Sequence, residues 1–282
     1  MSINHKKFHF QSHGTLFFGQ HWQPREAKAV VVLVHGFGEH SGRYADFVVP
    51  ELVKKNIAVV SYDNFGHGET EGKRGHCPNY DALMFVLGIV VRKAEDLFPG
   101  LPVFLYGHSM GGNLVLNYVL RSPHKVTGVI ATSPYLRLAF DPPKWKMLVG
   151  KMLMGVSPGI TLASGLEVEA ISRDASEVAK YKEDPLVHDK VSPMFSFPIM
   201  DAGEWVVKKA EELSVPTLLL HGTDDRLIDH KASVELEAKA PMSKLHLFKG
   251  GYHELHNDLE KDKALKIVTT WIDDHVGANF VL

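Results

Sequence analysis

Residues 102–112 read Pro102-Val103-Phe104-Leu105-Tyr106-Gly107-His108-Ser109-Met110-Gly111-Gly112. A short apolar run ends at Tyr106, and Met110 to Arg121 has the length and apolar spacing of a helix. Between them lies Gly-x-Ser-x-Gly, in which glycines flank Ser109 at two positions on either side. A serine held on a sharp strand-to-helix turn needs such glycines, because side chains at those positions would clash. The turn lifts the hydroxyl clear of a sheet and aims the helix N-terminus at a developing negative oxygen. The five-residue pattern alone is a modest signal. Its strand–turn–helix setting makes Ser109 a candidate nucleophile.

Outward from this turn, short β-branched runs alternate with longer amphipathic segments. Ala29–His35, Ile57–Tyr62, Val103–Tyr106, Val126–Thr132 and Val215–His221 read as buried strands, and Lys244–Phe248 as the last strand. Continuous apolar runs of this kind belong to a mostly parallel sheet covered on both faces. Arg43–Lys55, Tyr80–Phe98, Met110–Arg121 and Asp258–His275 read as helices. Thr15–Trp22 reads as an edge hairpin with Phe8–Gln11 around His13-Gly14. The βαβα alternation predicts an α/β fold with a doubly wound sheet.

The alternation stops between Pro134 and about Glu212, where Pro142-Pro143, Pro158, Pro185, Pro193 and Pro198 occur without a clear strand. A stretch this long exceeds a simple loop and predicts a helical cap inserted after the sixth strand, spanning 134–212. Residues 1–133 and 213–282 then form the core domain. Within the cap, Trp145, Leu148, Val149, Met152, Leu153 and Val156 fall on one helix face, with Lys144, Lys146 and Lys151 off it. Two readings stand: that face packs on the core, or it lines an acyl tunnel or rests on lipid.

The chain has 282 residues, 45% hydrophobic and 23% charged, which is enough to bury a large core. Lys and Arg number 31 against 33 Asp and Glu, a near-balance that gives no reason to expect nucleic acid as a partner. Cys77 is the single cysteine, so the chain can form no internal disulfide. Met1–Phe10 lacks the apolar run of a signal peptide, and no apolar stretch reaches the roughly 18–20 residues that span a bilayer. The expectation is a cytoplasmic protein, peripheral at a membrane at most.

A serine is a poor nucleophile at its free pKa and needs a base held by an acid. On a strand–turn–helix scaffold of this kind, the acid and then the histidine follow the serine in sequence. Val215–His221 runs into Gly222-Thr223-Asp224-Asp225-Arg226, and Lys244–Phe248 into Gly250-Gly251-Tyr252-His253. Asp225 and His253 therefore stand in the required order at the ends of strands, with Asp224 as the rival acid. His253-Glu254-Leu255-His256 is not a zinc motif, because its histidines are three apart rather than four. The oxyanion is expected to meet the backbone amides of Met110 and of Phe37, the latter in His35-Gly36-Phe37-Gly38.

These residues lie within longer blocks: His35-Gly36-Phe37-Gly38-Glu39-His40-Ser41-Gly42-Arg43-Tyr44, Tyr62-Asp63-Asn64-Phe65-Gly66-His67-Gly68, Glu71-Gly72-Lys73-Arg74-Gly75, Gly107–Gly112, Asp184-Pro185-Leu186, Gly222–Leu227 and Tyr252–His256. In that order and across nearly the whole chain, they resemble the monoacylglycerol lipase and lysophospholipase branch of the α/β-hydrolases, the serine aminopeptidase S33-like group. The resemblance implies a triad of Ser109, Asp225 and His253, with Asp225 preferred over Asp224 by the Asp-Arg-Leu match. It also implies that Glu39, Arg43, Tyr181 and His256 line or brace the pocket near a glycerol end, although Glu39 and Arg43 could simply pair at i, i+4. Phe37 and Phe65 stand where relatives often carry smaller or polar residues.

The implied activity is hydrolysis of a small lipid ester, a monoacylglycerol, through an acyl-enzyme, without cofactor or metal. A lysophospholipase, a general carboxylesterase and a non-catalytic binding protein of the same fold are the alternatives. Transient contact of the cap with a membrane surface is a further expectation, and the sequence carries no reading of oligomeric state.

Overall fold

A computed structural model describes residues 4–123 and 125–277. The chain runs β1 (Asn4–Ser12), β2 (Thr15–Gln23), β3 (Ala29–Val34), α1 (Val48–Lys54), β4 (Ile57–Tyr62), α2 (Tyr80–Leu97), β5 (Val103–His108), α3 (Met110–Arg121) and β6 (Val126–Thr132). It continues through α4 (Lys144–Val156), β7 (Leu162–Ala163), α5 (Ala175–Glu183), β8 (Lys190–Val191), α6 (Pro193–Lys208), β9 (Thr217–Gly222), α7 (His230–Lys239), β10 (Ser243–Phe248) and α8 (Lys261–Val276). Eight strands form one sheet in the order β1-β2-β4-β3-β5-β6-β9-β10. The β1–β2 and β2–β4 pairs are antiparallel, and every pair from β4 onward is parallel.

Strand β3 shows why the apolar runs are unbroken. Val30, Val32 and Val34 point to one face with Leu83, Leu87 and Leu114, while Ala29, Val31 and Leu33 point to the other with Leu52 and Ile272. Side chains alternate faces along a strand, so two buried faces leave no polar position. The β1–β2 hairpin closes at His13 and Gly14, both with positive φ (49° and 72°), the turn whose twist matches paired strands.

The expected Arg43–Lys55 helix is split. Ser41–Tyr44 forms a single 3₁₀ turn, and α1 begins only at Val48. Pro50 accounts for the break: in a helix already running from Arg43 its ring would meet the carbonyl of residue 46, whereas in the first turn of α1 its missing N–H costs nothing.

Between β6 and β9 the chain leaves the sheet and forms α4, α5 and α6 with a two-residue antiparallel pairing of β7 and β8, a strand pair the sequence did not signal. Two buried asparagines one turn apart on α3 seat this insertion. Asn113 Nδ2 donates to Tyr135 O and Ile199 O at 2.8 and 3.0 Å, and Asn117 Nδ2 to Ala202 O at 3.3 Å. Ser192 caps α6 through the Phe195 amide, with Pro193 at the first helical position. Pro198 lies inside α6 and cannot bond to Met194 O. The buried thiol of Cys77 lies 4.0 Å from that carbonyl.

The Trp145 stripe of α4 neither packs on the core nor lines the cavity described below. Trp145 is 65% exposed, Leu148 63% and Met152 63%. The helix instead turns Pro143, Lys146, Met147 and Gly150 inward, an i, i+3, i+4, i+7 face. Of the readings open from the sequence, packing on the core and lining the cavity are therefore excluded for this face. Leu153 is half-buried but does not reach the cavity.

Candidate active site

Ser109 sits between β5 and α3 with φ 52° and ψ −115°, a backbone conformation that L-residues seldom adopt. Its amide donates to Thr132 O at 2.9 Å, which ties the turn to the end of β6. The flanking glycines are required by contact. A Cβ on Gly107 would stand 2.2 Å from Gly111 O, and one on Gly111 would stand 2.0 Å from Val34 O. Met110 opens α3 directly after Ser109, and the Gly36–Glu39 loop comes from the end of β3. That loop is folded by Gly36 N–H donating to Glu39 Oε1 at 2.6 Å and is held from above by His188 N–H donating to Gly38 O at 2.9 Å.

A cavity of about 380 Å³ opens over this turn. Its floor includes Phe37, Glu39, Ser109, Met110, His253 and Glu254 from the core. Its upper walls are largely apolar and come from the insertion, including Leu138, Met147, Phe195, Phe197, Ile199 and Met200. The run Val191–Met200 lines it except at Met194 and Pro198, whereas Trp145, Met152 and Leu153 of the α4 stripe do not.

His253 and Asp225 meet here from the ends of β10 and β9. His253 Nδ1 lies 2.7 Å from Asp225 Oδ2, and Ser133 Oγ donates to His253 O at 2.7 Å. Asp225 Oδ1 accepts the amides of Leu227 and Ile228 at 2.8 and 3.0 Å. Asp224, the rival acid, is exposed, whereas Asp225 is buried. Burial opposes a charge on Asp225, yet its two imidazole neighbours, His253 and His221, prevail and hold the carboxyl well below its usual range. For His253, burial favours the neutral ring, but the charge of Asp225 and its hydrogen bond outweigh burial and raise the pKa above 6.5.

Behind the floor lies a buried charge network. Arg43 Nη1 donates to Glu39 Oε2 and to Glu254 Oε1, both at 2.7 Å, and Nη2 donates to Glu254 Oε2 at 2.8 Å. Tyr44 Oη donates to Glu39 Oε1 at 2.8 Å, and Asn257 Nδ2 to Glu254 Oε2 at 2.8 Å. The guanidinium also lies 4.7 Å from the centre of the Tyr181 ring. Among the four residues expected near a glycerol end, Glu39 and Tyr181 line the cavity. Arg43 and His256 stand behind it, with His256 stacked on Tyr44 at 4.8 Å and edge-on to His108 at 4.7 Å.

The sequence carries no signal for Glu254, because its partner Arg43 is 211 residues away and such a separation leaves no periodic trace. The Asp184-Pro185-Leu186 block also acquires a physical meaning. Asp184 Oδ1 accepts the Leu186 amide at 2.8 Å, and Oδ2 lies 2.9 Å from His40 Nε2, joining the insertion to the loop that carries Phe37.

A mostly parallel sheet with a serine turn at its carboxyl edge, an acid–histidine pair beside it and an overlying insertion defines an α/β-hydrolase. The chain belongs to the family described as serine aminopeptidase, S33, whose profile matches residues 25–260. It is 33% identical to the monoacylglycerol lipase of Mycolicibacterium smegmatis over 90% of this chain and 92% of that one. The structure resembles that of Paleococcus ferrophilus monoacylglycerol lipase with a TM-score of 0.83, at 33% identity, over 98% of this chain and 100% of the other. An uncharacterized abhydrolase domain-containing protein of Dictyostelium discoideum is also 33% identical over 90% of this chain, which spans 27% of that protein's length. These likenesses place the chain among the carboxylic ester hydrolases.

Arg43 is 7% exposed in its side chain, Glu39 2% and Glu254 4%. Removing the one cation leaves two buried carboxylates unpaired, a loss of about 3–5 kcal/mol for a network of this kind. Arg43→Met is expected to lower the urea midpoint accordingly, and an unchanged midpoint would show that the carboxylates find other compensation.

Proposed function

We propose that this chain hydrolyses the carboxylic ester of a monoacylglycerol to fatty acid and glycerol through a Ser109-His253-Asp225 triad. The observation that carries this reading is the cavity itself, with largely apolar walls above and Ser109, Glu39 and Glu254 in its floor. One acyl chain and one small, uncharged, hydroxyl-rich head match that division. Two carboxylates share a single guanidinium, so the polar end is net negative and disfavours a phosphorylated head. Each carboxylate already accepts three hydrogen bonds, Glu39 from Gly36, Tyr44 and Arg43 and Glu254 from Arg43 twice and Asn257, so the ammonium of a peptide N-terminus would compete with these partners.

In this mechanism His253 takes the proton of Ser109, and Oγ attacks the ester carbonyl carbon. The amides of Phe37 and Met110 stabilise the tetrahedral oxyanion, each such donor contributing about 3–4 kcal/mol. Collapse breaks the bond to the glycerol oxygen, which leaves with the proton from His253. Water, deprotonated by His253, then attacks the acyl-enzyme and releases the fatty acid. Asp225 orients His253 and stabilises its imidazolium form. Residues 134–212 act as the cap, and no cofactor or metal enters the cycle.

The direct test is turnover of a medium-chain monoacylglycerol beside the matching lysophosphatidylcholine and triacylglycerol, with fluorophosphonate labelling in parallel. Preference for the monoacylglycerol, with both turnover and labelling lost in Ser109→Ala, is the expected result. Preference for the lysophospholipid would reassign the substrate and leave the chemistry standing. Labelling that persists in Ser109→Ala would overturn the nucleophile.

The pH profile follows from His253, which must be neutral to act as base. Its pKa is raised, so kcat/KM is expected to fall tenfold per unit on the acid side of a midpoint above pH 6.5. Asp225→Asn should lower kcat by on the order of 10⁴. A midpoint below 6.5 in the unaltered enzyme would contradict the Asp225–His253 coupling.

The exposed stripe of α4, with Lys144 and Lys151 beside it, supports transient docking on a lipid surface by a protein otherwise free in the cytoplasm. Polar replacement of Trp145, Leu148 and Met152 together should reduce partition into liposomes at least several-fold while sparing hydrolysis of a water-soluble ester. Equal partition of the folded variant would refute docking through this face.

A further inference from the structure

The acid of the proposed triad holds a second imidazole. Asp225 Oδ2 accepts from His253 Nδ1 at 2.7 Å and also lies 3.2 Å from His221 Nε2. The other ring nitrogen of His221, Nδ1, lies 2.8 Å from Ser233 Oγ on α7. His221 and Ser233 are both fully buried. An ionised carboxylate can only accept, so the nitrogen of His221 that faces Asp225 carries a proton. Ser233 Oγ holds the opposite nitrogen, Nδ1, and so fixes the plane in which the ring faces Asp225.

We infer that His221, held from behind by Ser233, is a positioning residue for the hydrolytic reaction that acts on His253 through Asp225. This rests on the triad proposed above and adds a member to it. Two amides hold Oδ1 and two imidazoles hold Oδ2, so the carboxylate has four donors and one available orientation. The donation from His221 also disperses negative charge that would otherwise fall on His253. His221 therefore limits how strongly Asp225 favours the imidazolium form of the base.

The ionisable groups around the two rings fall in two sets. His221 faces Asp225 and, at 6.3 Å, the ring of His230. His253 faces Asp225, the ring of His108 at 4.8 Å, and the charges of Glu254 and Glu39. His221 itself touches neither the cavity nor the reacting atoms, which separates it from the triad.

The test uses the full chain and a medium-chain p-nitrophenyl ester. His221→Phe removes the donor while keeping a ring, His221→Gln keeps an N–H that can reach the carboxylate, and Ser233→Ala removes the hydroxyl that holds the ring from behind. In His221→Phe, kcat should fall about tenfold to a hundredfold with KM nearly unchanged, as expected for the loss of a hydrogen bond to a charged group. The acid limb of kcat/KM should move to higher pH, by about half a unit, because Asp225 then acts more strongly on His253. Gln should recover most of both effects, and Ser233→Ala should shift the limb the same way by a smaller amount.

An unmoved limb in Ser233→Ala, or a Gln variant no better than Phe, would overturn the inference and leave His221 a packing residue. If Phe prevents folding, the Gln and Ser233→Ala measurements still decide. Failure of the triad itself is distinguishable, because Asp225→Asn would then retain full kcat.

Discussion

The turn at Ser109 is the constraint on which the rest of the structure depends. A residue with a Cβ at φ 52° is strained by an amount on the order of 1–3 kcal/mol and persists only where its surroundings leave no alternative. Here β3, β5 and the start of α3 approach so closely that neither Gly107 nor Gly111 has room for a side chain. The hydrogen bond from Ser109 N–H to Thr132 adds β6. Three adjacent strands and one helix thus hold one hydroxyl in place, and the fold can present it at the carboxyl edge of the sheet only with this register.

The second requirement is that charge close to the hydroxyl be held without water. Arg43, Glu39 and Glu254 are almost fully buried, and burying ions is costly unless each finds partners. Every carboxylate oxygen in the network has a donor, as has every oxygen of Asp225. The same bonds bind distant segments together. Glu39 folds the loop after β3, and Glu254 follows His253 directly in the chain. Electrostatic satisfaction and placement of the site are one arrangement.

The insertion obeys a different logic. Its prolines begin a helix at Pro193 and interrupt hydrogen bonding at Pro198, yet α6 stays continuous; the freed Met194 carbonyl meets the Cys77 thiol, and asparagines of α3 hold Ile199 O and Ala202 O further along. Its helix α4 has an inner face on the cavity and an outer apolar face toward solvent. The helix thus presents apolar side chains to two environments, Met147 to the cavity and Trp145, Leu148 and Met152 to the outside.

The sequence by itself determined the sheet, the serine turn and the order of serine, acid and histidine. These follow from local rules: side-chain alternation in strands, glycine where backbones nearly touch, and loops at strand ends. Only the tertiary structure decided that Asp225 is buried against His253 while Asp224 is exposed, that Arg43, already paired with Glu39 at i, i+4, also holds Glu254, and that His221 reaches Asp225 with Ser233 behind it. It likewise ended the helix expected from Arg43 and turned the Trp145 stripe outward. Charge pairs between residues far apart in the chain leave no periodic trace, and a helix pattern records that a face is apolar without recording what it meets. Those choices are made by packing between distant elements, which exists only once the chain has folded.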